Sequence, residues 1–200
     1  MQYDREQYLQ WRLNDFLINS LALPKSDYVS SLSLASLLNL KSVLSDVNNL
    51  ITLKLALGLA DWVSGCFSLN DEGRTNLRKM ILETKPNTNG FDVWLGYPIA
   101  FVAEVKCNVP VNGGAKYGAR QKRGIIADVN ALLVGKRRAS MATERVLKFM
   151  AFLDLPEIRK ANAHLLRNDP SLATKLVFME STQVPSNLNR VHGVYVKLGV

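Results

Sequence analysis

The stretch FDVWLGYPIAFVAEVKCN, residues 91–108, constrains the fold more than any other part of the chain. Two runs of apolar, β-prone residues, 93–95 and 99–102, flank the turn sequence GYP, which is the pattern of a β-hairpin. Both faces of the second strand are apolar, which predicts a strand covered on both sides. The same run nevertheless continues into Glu104 and Lys106, residue types that are rarely buried unless paired or bound to a ligand.

The spacing of these charged residues places them on one face of the hairpin. Side chains in a strand repeat every two residues, so Glu104 and Lys106 project from the same side. Asp92 shares that side if Gly96–Pro98 is a three-residue loop, because Asp92 then lies opposite Val102. Two carboxylates and an ammonium together are suited to a hard cation such as Mg²⁺. The alternative is an edge hairpin with three solvated side chains, which the apolar pattern on both faces disfavours.

The arrangement D-x11-E-V-K on a predicted hairpin resembles the PD-(D/E)xK nuclease superfamily, and is most similar to its type II restriction endonucleases. Asp92, Glu104 and Lys106 match the motif, whereas Phe91 stands where the family usually has Pro. The resemblance covers residues 72–155 and implies a Mg²⁺-dependent endonuclease that acts as a homodimer on double-stranded DNA.

The resemblance also implies roles for individual residues. Asp92 and Glu104 would bind one or two Mg²⁺ ions with the backbone carbonyl of Val105. Lys106 would orient or help deprotonate the attacking water and neutralise the developing charge. Many members add an acid from the helix before the first strand, and Glu83 is the first candidate here, although a solvated position on the helix flank is the favoured alternative for it.

The net charge of +8 is concentrated just downstream of this motif. Residues 1–90 hold nine basic and nine acidic side chains, whereas residues 116–148 hold nine Lys or Arg against two acids. Concentrated positive charge is typical of a phosphate-binding surface, with a solvated helix face as the alternative. The residues expected to contact DNA are Lys116, Arg120, Gln121, Lys122, Arg123, Lys136, Arg137 and Arg138.

The remaining pattern predicts an α/β fold. The resemblance implies that this fold is a restriction-endonuclease-like mixed central sheet flanked by helices, with a helical N-terminal region. We expect a single domain made of a helical region (1–68), a nuclease core (69–155) and a C-terminal elaboration (156–200). Hydrophobic periodicity predicts helices over 3–20, from 26 or 27 to 40, and over 42–59, 69–84, 120–135 and 156–167, and strands over 146–153, 176–179 and 191–198.

Composition excludes several other classes. Cys66 and Cys107 form no disulfide framework and are expected to be small buried hydrophobes in a reducing cytoplasm. His164 and His192 lack zinc-ligand spacing, and no GxSxG motif supports a serine hydrolase. The apolar region 32–63 is interrupted by charges, and the N-terminus is polar, so we expect a cytoplasmic protein without a membrane partner.

Two alternative functions remain open at this point. A structure-selective nuclease of recombination or repair would use the same residues, and would cut at a junction rather than at a short sequence. A catalytically silent DNA-binding protein on the same scaffold would bind DNA without Mg²⁺-dependent nicking.

Overall fold

A computed structural model describes residues 3–84, 90–111, 114–136, 143–180 and 183–198. The helices are α1 (Arg5–Asp15), α2 (Leu34–Cys66), α3 (Asp71–Glu83), α4 (Ala119–Val134), α5 (Pro156–Asn168) and α6 (Pro170–Lys175), with a π-helical turn at Phe16–Ser20 and a 3-10 turn at Thr143–Arg145. The strands are β1 (Val93–Leu95), β2 (Phe101–Lys106), β3 (Leu147–Leu153), β4 (Leu176–Phe178) and β5 (Val191–Val196).

The described strands form one mixed sheet in the order β1-β2-β3-β5-β4. β1 is antiparallel to β2, and the other neighbouring pairs are parallel. The prediction of a mixed α/β protein with a helix-flanked sheet and a helical N-terminal region is therefore confirmed. The segment 156–200, predicted as an elaboration, contributes two strands to this sheet, and β5 lies between β3 and β4.

Helices cover both faces of the sheet because its central strands are apolar on both sides. On one face, α2 and α3 pack against the odd-numbered residues of β2 and β3, with a core that includes Leu55, Leu59, Leu77, Phe101 and Phe149. On the other face, α4, α5 and α6 pack against the even-numbered residues, with a core that includes Val102, Ile125, Val129, Met150 and Ile158. Glu104 and Lys106 belong to this second face by their even numbers.

The helix before the hairpin begins where the sequence predicted. The Asn70 side chain caps α3 by accepting a hydrogen bond from the Gly73 backbone N–H at 2.8 Å. Leu77 and Ile81 form its buried stripe. Helical periodicity also predicts that Met80 belongs to this stripe, but Met80 is 36% exposed, so that prediction is wrong.

The chain divides into two compact units, residues 1–47 and 48–200, with the boundary inside α2. In the first unit no residue of α1 is buried. Asn14 ties the helix to the following loop, since its Oδ1 accepts hydrogen bonds from the backbone N–H groups of Tyr28 and Val29. Large apolar side chains of this unit are exposed, among them Trp11, Phe16, Leu34, Leu38, Val43 and Leu44.

The structure has the single helix α2 where two helices were predicted, one from residue 26 or 27 to residue 40 and one over 42–59. Asp27, expected to cap a helix, accepts a hydrogen bond from the backbone N–H of Ser30 in a turn, and α2 begins only at Leu34. The predicted break near Ser42 is wrong, because no Gly or Pro occurs between residue 34 and Gly58 to interrupt the helix.

By length and composition, α2 is the one helix in the described ranges that could cross a membrane. Only 22% of its most apolar window is buried, but farther along the helix Leu55, Leu59 and Val63 are fully enclosed in the sheet core. The expected absence of a membrane partner stays a prediction.

Candidate active site

The hairpin places Asp92 opposite Glu104. Trp94 pairs with Val102, and continuing this antiparallel register brings residue 92 level with residue 104. The connection between the strands is residues 96–100, which is two residues longer than the predicted loop. The predicted partner of Asp92, Val102, is therefore wrong by two residues. A shift of two preserves the face, because side chains alternate with a period of two.

Asp92 is exposed and lies just before β1. Its Oδ2 accepts a hydrogen bond from the backbone N–H of Val105 at 2.8 Å. Just beyond the paired residues of β1 and β2, the Asp92 side chain thus accepts the hydrogen bond of the Val105 N–H in place of a backbone carbonyl. This bond fixes the Asp92 carboxylate beside the strand that carries Glu104.

Glu104 is a buried carboxylate with a cation beside it. The residue is only 4% exposed, and its Oε1 accepts a hydrogen bond from the Lys136 ammonium at 2.6 Å. The pKa of Glu104 is raised to about 7, mainly because the side chain is buried and also because the negative charge of Asp92 is near; the Lys136 ammonium opposes both effects. The two carboxylates are therefore close enough to repel each other.

Lys106 lies two residues farther along the same face and forms an ion pair with Asp128 of α4. Both side chains are largely buried, at 17% and 22% exposure. Asp128 is one of the two acids that oppose the positive charge of residues 116–148, and its pairing with Lys106 was not predicted from the sequence. A signal was present, because Asp128 directly precedes Val129, part of the buried stripe of the helix that covers the strand.

Asp92, Glu104, Val105 and Lys106 line one cavity of about 400 Å³. The structure therefore brings together the three predicted catalytic residues and the predicted backbone ligand. Cys107 also lines this cavity, with its Sγ 3.2 Å from Asn48 Oδ1. The expectation of two buried cysteines is wrong, since both Cys66 and Cys107 are partly exposed.

A second cavity of about 330 Å³ begins where the first ends. Lys106 and Asn108 line both cavities, and Arg120 and Gln121 line the second. The two cavities thus connect the carboxylates with the first turn of α4. Helix N-termini with basic side chains are suited to phosphate groups.

The predicted DNA-contacting residues that the structure describes are divided between the second cavity, a cavity beside α5 and other positions. Gln121 caps its own helix: its Oε1 accepts from the Gly118 N–H at 3.0 Å, and its Nε2 donates to the Val109 carbonyl at 2.8 Å. Lys116 and Lys122 line a separate cavity of about 110 Å³ beside α5. Arg123 is exposed.

The basic segment also contains lysines that turn inward. Lys136 contacts Glu104 instead of facing solvent, which contradicts its predicted place on a DNA-binding surface. Lys148, counted in the same excess, is 1% exposed and donates to the carbonyls of Val146 and Leu188. Arg137 and Arg138 lie outside the described residues.

Glu83 is not brought to the carboxylates. Its side chain is 66% exposed, and its Oε1 lies 3.8 Å from the Lys79 Nζ. The residues of α3 and its end that line the large cavity are Ile81 and Thr84. The structure therefore favours the solvated alternative for Glu83.

A metal ion at this site would need ligands beyond the side chains. Within the described ranges, no group of three or more His, Cys, Asp or Glu could hold a metal ion. Two carboxylates do fit the way Mg²⁺ binds, since it commonly takes one or two and completes its shell with water and substrate phosphate. The repulsion that raises the pKa of Glu104 would also be relieved by a cation between the carboxylates.

No protein-family model, curated protein or solved structure matches this chain significantly. The likeness to the nuclease superfamily therefore depends on the D-x11-E-V-K motif and its setting within residues 72–155, and on no matched relative. The chemistry available to the site is that of the carboxylates of Asp92, Glu104 and Asp128, the ammonium groups of Lys106 and Lys136, and an adjoining cavity lined by Arg120.

Proposed function

We propose that this protein is a Mg²⁺-dependent DNA endonuclease with a restriction-endonuclease-like fold, acting as a homodimer in the manner of a type II restriction enzyme. The observation that carries the proposal is the hairpin register, which sets Asp92 level with Glu104 and leaves Lys106 two residues farther along the same face. All three side chains line one cavity.

The electrostatics of the site support the same function. A buried carboxylate next to a second carboxylate is unfavourable for folding, and such arrangements are concentrated at functional sites. The pKa of Glu104 is raised to about 7 because its charged form is disfavoured by burial and by the negative charge of Asp92. A divalent cation is the simplest ligand that would offset both negative charges.

Asp92, Glu104 and the Val105 carbonyl would hold the cation. When bound, Mg²⁺ would activate a water molecule and offset charge on the leaving oxygen of a phosphodiester. Asp128 would position the Lys106 ammonium through their ion pair. Lys106 would then orient the attacking water and neutralise charge that develops on the phosphate.

The adjoining cavity would bind the DNA backbone. Arg120 and Lys106 both line it, so positive charge extends from the carboxylates to the start of α4. Such contacts would position the duplex without reading its sequence. The same surface would serve a restriction enzyme or a structure-selective nuclease.

Incubation of supercoiled plasmid with the purified protein tests the proposal. We expect nicked and linear DNA with Mg²⁺ and none with EDTA. Sequencing of the ends separates the two nuclease classes, because a restriction enzyme leaves ends at one short sequence. Binding of a labelled duplex without any Mg²⁺-dependent cleavage would identify a catalytically silent DNA-binding protein and overturn the proposal.

A further inference from the structure

Lys136 binds one oxygen of Glu104, the carboxylate that a bound cation would share with Asp92. Its ammonium donates to Glu104 Oε1 at 2.6 Å and also to the backbone carbonyl of Gly90. It lies 5.0 Å from the centroid of the Phe91 ring, within the range of a cation–π contact. Three partners therefore fix one positive charge beside the buried carboxylate.

The backbone at the end of α4 sets this position. Gly135 is the C-cap of α4 and has a φ of 93°, a backbone conformation that residues other than glycine rarely adopt. A Cβ at this position would also lie 3.4 Å from the Thr143 Oγ1. Lys136 thus leaves the helix along a defined path, and it meets Glu104 on a strand at the centre of the fold.

An ammonium and a divalent cation cannot both use Glu104 without cost. The ammonium and the metal ion are both attracted by the Glu104 carboxylate. Two cations bound to one carboxylate repel each other in a partly desolvated site. The second ammonium, Lys106, is already held by Asp128. Lys136 is therefore the cation whose contact a metal ion would have to weaken or break.

We propose that Lys136 is the resident counter-ion of Glu104 and competes with the divalent cation for this carboxylate. The inference rests on the proposed function, because it requires a metal site at Asp92 and Glu104. It assigns Lys136 to the control of metal affinity, whereas charge counting alone had placed it on the DNA-binding surface. The protein without DNA should accordingly bind divalent cations weakly.

The test is direct measurement of Mn²⁺ binding by electron paramagnetic resonance, which reports free Mn²⁺ and needs no catalysis. Lys136→Met removes the competing charge and should tighten binding about tenfold or more. Lys136→Arg keeps the charge and should stay close to the wild type. Lys79→Met is the matched control. Lys79 is 67% exposed, and within the described chain its ion-pair partner is Glu83, which lies outside the candidate site.

The outcomes separate this inference from the function on which it rests. If the wild type binds Mn²⁺ and Lys136→Met binds it equally or more weakly, Lys136 is a structural residue and the inference is wrong. If neither protein binds Mn²⁺ but plasmid nicking still requires Mg²⁺, the inference is wrong and the proposed function stands; if neither binds Mn²⁺ and no nicking occurs, both fail. Lys136→Gln serves as the second neutral variant if circular dichroism shows that Lys136→Met is unfolded, and the same tightening is expected from it.

Discussion

The neighbouring parallel strands β2 and β3 each carry a carboxylate paired with a cation, yet the two pairs differ in kind. Asp154 follows β3, and Arg159 donates to its Oδ1 at 2.5 Å, a hydrogen bond that lowers the pKa of Asp154. Glu104 in β2 also has a cation at hydrogen-bond distance, but its pKa is raised to about 7. The same type of contact therefore leaves one carboxylate favoured in its charged form and the other disfavoured.

The difference comes from burial and from a second acid. Asp154 and Arg159 are five residues apart, and the guanidinium is half exposed and lies 4.0 Å from the centroid of the Tyr195 ring. That pair is a local structural contact. Glu104 lies inside the sheet with Asp92 beside it, so its one ammonium partner cannot compensate both effects. A carboxylate kept under these conditions points to a ligand, and Asp154 provides its natural control.

The largest expected effect is on cleavage. Glu104→Ala or Asp92→Ala should reduce Mg²⁺-dependent plasmid nicking by roughly a hundredfold or more, because each removes a metal ligand. DNA binding should survive or tighten, since negative charge near phosphate is lost. Asp154→Ala should leave the nicking rate near that of the wild type. Equal nicking rates for Glu104→Ala and the wild type would show that Glu104, like Asp154, has no role in cleavage.

The next effect is on stability as a function of pH. The folded protein retains a proton on Glu104 that the unfolded chain releases, because the folded pKa is about 7 and the ordinary value is 4.5. This contribution is complete below the unfolded pKa and is lost as pH rises through about 7. From pH 5 to 8, the free energy of unfolding of the wild type should therefore fall relative to Glu104→Gln, by at most about 3 kcal/mol.

Urea denaturation of both proteins across this pH range measures the effect. For Asp154 the sign is opposite, since its lowered pKa gives stability that is lost as pH falls. Asp154→Asn should cost no more than about 1 kcal/mol at neutral pH, because its partner is half exposed. A parallel pH dependence of the wild type and Glu104→Gln would contradict the account of Glu104.

The smallest expected effect is on DNA affinity. Arg120 lines the cavity next to β2, whereas Arg159 in α5 contacts Asp154, which follows β3. Arg120→Ala should weaken binding to all sequences and lower the slope of log affinity against log salt by about one. Arg159→Ala should leave the slope unchanged. Titration of a labelled duplex at several salt concentrations without Mg²⁺ checks this, and an unchanged slope for Arg120→Ala would place the DNA elsewhere.

The broader basic segment can be tested in the same titration. If the basic residues formed one DNA-binding surface, replacing Arg120, Lys122 and Arg123 together by Ala would lower the slope of log affinity against log salt by about three. In the structure Lys122 lines a different cavity, beside α5. We therefore expect the triple variant to lower the slope of log affinity against log salt more than Arg120→Ala does, but only by the contribution of Arg123. A decrease of about three in this slope would support a single DNA-binding surface instead.

Alternation along the hairpin was enough to predict which face carries the site. Asp92, Glu104 and Lys106 share that face in the structure because alternation has a period of two, but the register differs by two residues. A shift of two leaves the alternation unchanged, so the apolar pattern could not reveal that residues 99 and 100 belong to the connection. The position of Asp92 directly across from Glu104 needed coordinates.

Charge counting was less informative than alternation. Lys136 and Lys148 were counted as surface cations, and both turn inward, one to a carboxylate and one to backbone carbonyls. A local sequence cannot show the direction of a long side chain, because the partner that decides it is distant along the chain. Asp128 was overlooked for the same reason, since its partner Lys106 lies 22 residues earlier on another element.

The most direct test of the central claim is the titration of Glu104 itself. Carbon-13 NMR of glutamate-labelled protein, with the Glu104 signal assigned by its loss in Glu104→Gln, gives the carboxyl pKa with and without Mg²⁺. We predict titration near pH 7 without metal, and a clear shift to lower pH when Mg²⁺ is saturating, because the cation stabilises the charged form. A Glu104 signal that titrates at its ordinary pH and does not respond to Mg²⁺ would contradict the assignment of Asp92 and Glu104 as a metal site.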